Sequence, residues 1–292
     1  MQEVNKKPAP RAYLTHLAIL GVVCLLLAGV AAPVAVHRLS LPATDSAPAE
    51  DDPPVVAQDE IRAVAIALDD PEAPYERRLR ELAAGGVKAV CFAIPIWQEN
   101  LGSNSLFIES RRLAPESRIE KLIALADELG MTTIVMPEVR LTADGQHPGQ
   151  IQPSQLLEWW KDYEATLMFC VYLAGRAEAD AVAVGCQLTN LQGRHYRWRA
   201  LIAKVRGAFA GKLCYVANPS EYDRISWWSD LDWIGLCIPL DPSAPLAGQL
   251  ARPDPIGPDA GDFADKLRRP VLYLLTGPAE ATGPREGDDD DE

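Results

Sequence analysis

The stretch "AVAVGCQLTN", Ala181 to Asn190, is an apolar run of strand length that ends on an amide, Gln187. Its hydrophobic residues are nearly continuous rather than alternating with charge, which is how a strand covered by helices on both faces reads. Six further runs share the pattern: "VAIAL" (64–68), "AVCFAI" (89–94), "TTIVMP" (132–137), "KLCYVA" (212–217), "WIGLCI" (233–238) and "VLYLL" (271–275). Helical periods separate them. In "RIEKLIALADELG" the residues Ile119, Leu122, Ile123, Ala126 and Leu129 share one face, and Gly130 follows as a stop. The segments 157–177 and 196–211 behave likewise. Strands alternating with helices imply an α/β fold with a parallel sheet, and the regular spacing favours a (β/α)8-type TIM barrel over an open doubly wound sheet. Past Gly277 only "PAEATGPREGDDDDE" remains, with no room for another helix and an eighth strand. The expectation is therefore an incomplete barrel with a gap between its first and seventh strands, to be left open or filled by the preceding linker or a partner.

The 292 residues suffice for one such domain and appendages. Formal net charge is −13, with acid concentrated in "DSAPAEDDPP" (45–54) and in the terminal "GDDDDE". There is no basic stripe of the kind nucleic acid requires, and no GxGxxG or GxxxxGK[ST] follows a strand, so neither nucleic acid nor a nucleotide is expected. Residues 17–36, "LAILGVVCLLLAGVAAPVAV", carry no charge and at ~1.5 Å per residue are long enough to cross a ~30 Å hydrocarbon core. Lys6, Lys7 and Arg11 precede the segment and mostly acid follows it, so the positive-inside rule puts residues 1–16 in the cytoplasm and the barrel outside. A cleaved signal peptide is the alternative reading of the same run. The expected organisation is a cytoplasmic N-terminus (1–16), a transmembrane anchor (17–36), a Pro/acidic linker (37–59), the barrel (60–277) and an acidic tail (278–292). Five cysteines lie beyond the anchor with no CxxC pair and no histidine at ligand spacing, so they read as small core side chains and no metal or other cofactor is expected.

In parallel α/β proteins the C-terminal strand ends carry the chemistry. Those ends offer Trp97 and Gln98 after the second strand, Glu138 after the third, Gln187 and Asn190 after the fourth and Asn218 after the fifth. An indole can stack on a sugar ring, and amides and a carboxylate can meet its hydroxyls. The same residues also read as packing or as turn formers. Trp159, Trp160, Trp227 and Trp228 fall in pairs that suit packing of helices on the barrel, and His147 and His195 read as exposed.

The segment Trp159 to Leu240 resembles glycoside hydrolase family 113. The resemblance is carried by "WRALIAKVR" (198–206), "YVAN" (215–218) and "WWSDLDWIG" (227–235), joined upstream by "GVKAVCFAIPIWQENLGSNS" (86–105) and "LADELGMTTIVMPEVRL" (125–141). It extends over roughly residues 61 to 277. It implies a (β/α)8 barrel and retaining β-mannanase chemistry, which uses two carboxylates ~5–5.5 Å apart, an acid/base and a nucleophile. In the family these are glutamates ending strands four and seven. Here the matching positions hold Gln187 and Leu275, neither of which can protonate a leaving group or attack an anomeric carbon. The expectation is a membrane-anchored, non-catalytic relative that binds an oligosaccharide or a protein partner. The competing reading is a divergent retaining hydrolase using a relocated carboxylate, Glu138 or Glu280.

Overall fold

The computed structural model describes residues 60–251 and 258–277. Seven parallel strands run in chain order: β1 (Ile61–Ala67), β2 (Ala89–Gln98), β3 (Thr132–Leu141), β4 (Ala181–Cys186), β5 (Lys212–Ala217), β6 (Trp233–Pro239) and β7 (Val271–Thr276). The helices between them are α1 (Tyr75–Ala84), α2 (Glu116–Glu128), α3 (Leu156–Arg176), the short α4 (Thr189–Gln192), α5 (His195–Ala208), α6 (Leu246–Leu250) and α7 (Pro258–Leu267). The periods read from sequence are the observed faces: α2 buries Ile119, Leu122, Ile123 and Ala126.

The expected gap does not exist. β1 pairs directly with β7, in the register Ile61↔Leu272 through Val64↔Leu275, and the sheet is a closed barrel of seven strands. The side chains that fill it supply the physical reason. Barrel diameter grows with strand number, so seven strands enclose less space than eight. The interior cluster is accordingly rich in small residues, among them Ala63, Ala89, Cys91, Ala93, Ala181, Ala183 and Cys214, with Ile134, Met136, Val216, Trp233, Leu272 and Leu274 filling the rest. The larger Val64, Ile66, Phe92, Ile94, Val135, Tyr215 and Tyr273 point the other way, into the layer shared with the helices. Closure also leaves no unpaired strand edge among the described residues, which removes the expected docking edge.

Outside β4 and β5 the helix layer is aromatic. Trp159 stacks on Tyr163 with centroids 4.9 Å apart, and Trp198 stacks on Trp227 at 5.0 Å. The tryptophan pairs do pack helices on the barrel. The five cysteines are free and buried, Cys170 on the packed face of α3 and the other four in the barrel interior. Burial pushes the Cys170 thiol up to about 12 and raises those of Cys91 and Cys186, so all three are neutral packing groups.

Among the described residues no helix is long and apolar enough to cross a membrane. The segments 1–16, 17–36, 37–59 and 278–292, Glu280 included, lie outside those residues.

Candidate functional site

Alternation along the strands decides which residues reach the barrel mouth. On β2 the inward series Ala89, Cys91, Ala93 continues to Trp97. On β3 the series Ile134, Met136 continues to Glu138 and Arg140, and Arg140 is the register partner of Trp97. Cys186 and Cys237 close the interior beneath them.

Arg140 organises the mouth. Its Nε donates to Glu138 Oε2 at 2.8 Å, its Nη2 lies 2.7 Å from the same oxygen, and Nη1 donates to Asp69 Oδ2 just beyond β1. The three side chains are 19%, 31% and 29% exposed, so the cluster is shielded from water on most sides. Burial works against the guanidinium charge, but Glu138 and Asp69 outweigh it and the Arg140 pKa is raised. Glu138 and Asp69 are thus both engaged by the same guanidinium.

Trp97 is in the mouth, but it is no open platform. It is 2% exposed, its ring lies under Arg112 with Cζ 4.2 Å from the centroid, and Arg140 flanks it at 6.0 Å. Its backbone exchanges two hydrogen bonds with Phe107, of 2.8 and 3.0 Å. Such a pair places both side chains on one face. Phe107 is 48% exposed and is the accessible aromatic there.

Gln98 is corrected from a ligand contact to an internal strut. One residue past Trp97, it faces outward, fully buried, with Oε1 accepting from Trp159 Nε1 at 2.8 Å and Nε2 donating to Asn100 O at 2.7 Å. Leu275 is corrected too. Its register neighbours Val64 and Ile238 belong to the outer layer, and it lines a crevice of about 40 Å³ with Arg62, Ile238 and Tyr273 on the helix side of the wall. That volume holds roughly one water and no sugar. The inward position of β7 at this level is Thr276, whose Oγ1 lies 3.4 Å from Cys237 Sγ.

Gln187 follows the end of β4 in a left-handed conformation, φ 49°, fixed by its N–H on Val216 O at 2.8 Å. It is half-buried, and its amide has no partner among the described residues. Asn190 is exposed on α4. Asn218 Oδ1 is occupied by its own turn, accepting from Ser220 N at 3.1 Å and Oγ at 3.0 Å. His195 is exposed; His147 is exposed as well and accepts from Gly149 N. Among the described residues no group of His, Cys, Asp or Glu is placed to hold a metal ion.

The mouth thus joins Trp97 and Glu138 to four residues the sequence reading passed over: Asp69, Arg112, Arg140 and Thr276. Two of these carried a signal. Met136, Glu138 and Arg140 alternate in "MPEVRL", and Asp69 continues the series Ala63, Ala65, Ala67. Arg112 comes from a loop and carried none.

No curated protein matches the sequence. Solved structures do. The β-mannanase AaManA of Alicyclobacillus acidocaldarius, in complex with ManMIm, superposes with a TM-score of 0.61 at 19% identity, over 75% of this chain and 71% of that one. A β-1,4-mannanase complex of the same family gives 0.57 at 16% identity, over 74% and 87%. At these identities the likeness is one of fold. The model of Glycoside Hydrolase Family 113 matches residues 68–278, most of the chain and the whole of the barrel beyond β1, and to that family the chain belongs.

Proposed function

We propose that the chain is a non-hydrolysing member of glycoside hydrolase family 113 that holds carbohydrate at its barrel mouth and is displayed outside the cytoplasm by a membrane helix at 17–36. One observation carries the reading: Arg140 ties down both Glu138 and Asp69, while the end of β4 supplies an amide, Gln187, and the inward end of β7 a hydroxyl, Thr276. Retaining hydrolysis needs a protonated and an ionised carboxyl ~5–5.5 Å apart. What remains suits binding: guanidinium and carboxylate groups for hydroxyls, the free amide of Gln187, and the exposed ring of Phe107 for the apolar face of a sugar.

The test is a matched pair of assays on the purified protein with β-1,4-linked manno-oligosaccharides. Calorimetry is expected to detect binding while product analysis detects no turnover above a buffer control. Turnover that disappears in Glu138→Gln would instead establish a divergent hydrolase. That second reading draws on Glu138 being a carboxylate that reaches the mouth. The display outside the cytoplasm has its own check. Protease added to intact spheroplasts should degrade the domain, and survival until lysis would reverse the orientation.

A further inference from the structure

Trp97 presents a contradiction: a large aromatic on the inward side of a strand end, at the mouth, that almost no solvent reaches. The group over its ring is Arg112. The loop that carries Arg112 is anchored independently of that side chain, by the Trp97–Phe107 backbone pair and by Ala114 N–H on Leu68 O at 3.3 Å. Within it, Arg112 N–H closes a turn on Glu109 O at 3.0 Å. The Arg112 side chain is itself 43% exposed, and its ion pair with Glu109 is loose at 3.8 Å. A long, half-exposed side chain held by one ring contact and one loose pair can leave without moving the loop. A second observation sits beneath it. The indole Nε1 of Trp97 is buried and has no hydrogen-bond partner, although buried tryptophan N–H groups ordinarily find one.

We propose that Trp97 is a carbohydrate-stacking subsite and that Arg112 is its displaceable cover. The guanidinium occupies the ring face on which a pyranose would lie. An incoming sugar takes that face with its C–H side, Arg112 swings outward, and a hydroxyl reaching past the ring edge accepts from the orphaned Nε1. The ligand class follows from the two features together: an apolar flat face with hydrogen-bond acceptors at its rim, which is a neutral sugar ring rather than a purely apolar or purely anionic molecule. The inference rests on the carbohydrate reading above, and its test has one arm that needs no sugar.

That arm is acrylamide quenching of tryptophan fluorescence in the full-length protein. Arg112→Ser should add a readily quenched component that is missing from Arg112→Ser/Trp97→Phe. The second arm is calorimetry with mannohexaose. Removing an exposed cation–π contact should tighten binding about twofold to fivefold in Arg112→Ser, and the gain should vanish in the double variant. If quenching is unchanged in Arg112→Ser, Arg112 is not the cover and the proposal is overturned. Equal or weaker mannohexaose binding by Arg112→Ser than by the wild type, where the wild type binds, overturns it as well. New quenching with no mannohexaose binding by either protein supports the cover and sinks the carbohydrate reading, so the two failures are told apart.

Discussion

At the scale of single residues, Gln187 carries backbone strain just past the end of β4. A non-glycine residue at φ 49° costs on the order of 1 kcal/mol relative to glycine, and such strain gathers at functional positions. The conformation is set by the backbone bond from Gln187 N–H to Val216 O, independently of the side chain. Gln187→Gly should therefore be more stable than Gln187→Ala by about 1 kcal/mol in urea unfolding. Equal stability, or Ala the better, would mean that the strand end relaxes and holds no strain. The amide's identity was legible in the sequence, and so was Glu138 as a mouth carboxylate. The strain on Gln187 and the Arg140 bond to Asp69 were not, because both depend on partners far along the chain: Val216 on β5, and Asp69 beyond β1.

At the scale of elements, the connection from β1 to α1 is fastened by one arginine of α2. Arg118 donates to Glu76 Oε1 at 3.0 Å and Oε2 at 2.8 Å, and to the carbonyl oxygens of Pro71 and Ala73, the latter at 2.7 Å. This hydrogen bonding, first of all, holds the Glu76 carboxyl down from the usual 4.5 to about 2. The folded value lies below the unfolded one, so the contribution is complete above pH 4.5 and is lost as pH falls through that value towards 2. Glu76→Gln should flatten the acid side of the stability profile in that window, measured by thermal unfolding at stepped pH. An unchanged slope would show that the clamp does not couple to folding. The pair is partly exposed, so the effect is a fraction of what the shift alone implies. α2, α3 and α5 were readable because a helix declares its buried face through a 3.6-residue apolar period. The β2–α2 loop declares nothing of the kind. Its turn at Glu109 and its pairing with Trp97 are tertiary contacts, which is why the sequence left open whether that indole was covered.

At the scale of the whole molecule, seven strands close where a gap was expected. A closed seam predicts that amides of β1 and β7 exchange as slowly as those of β3 to β5 in native-state hydrogen exchange. Fast exchange confined to Ile61–Ala67 and Val271–Thr276 would mean that the β1–β7 ladder opens and that the edge can receive a partner after all. The sequence by itself determined the strand and helix order, with 212–217 read to the residue, the family, and the amide at the end of β4. Tertiary structure alone decided the closure, the outward turn of Leu275 and Gln98, and the cover on Trp97. The reason is that these strands are buried on both faces. Polarity then no longer marks inside from outside, and size does so only in part: the interior is rich in alanine and cysteine but also takes Ile134, Met136, Trp233, Leu272 and Leu274. That distinction acquires meaning once the strand count sets the bore of the barrel, and the count is settled only when the first and last strands, some two hundred residues apart in sequence, meet.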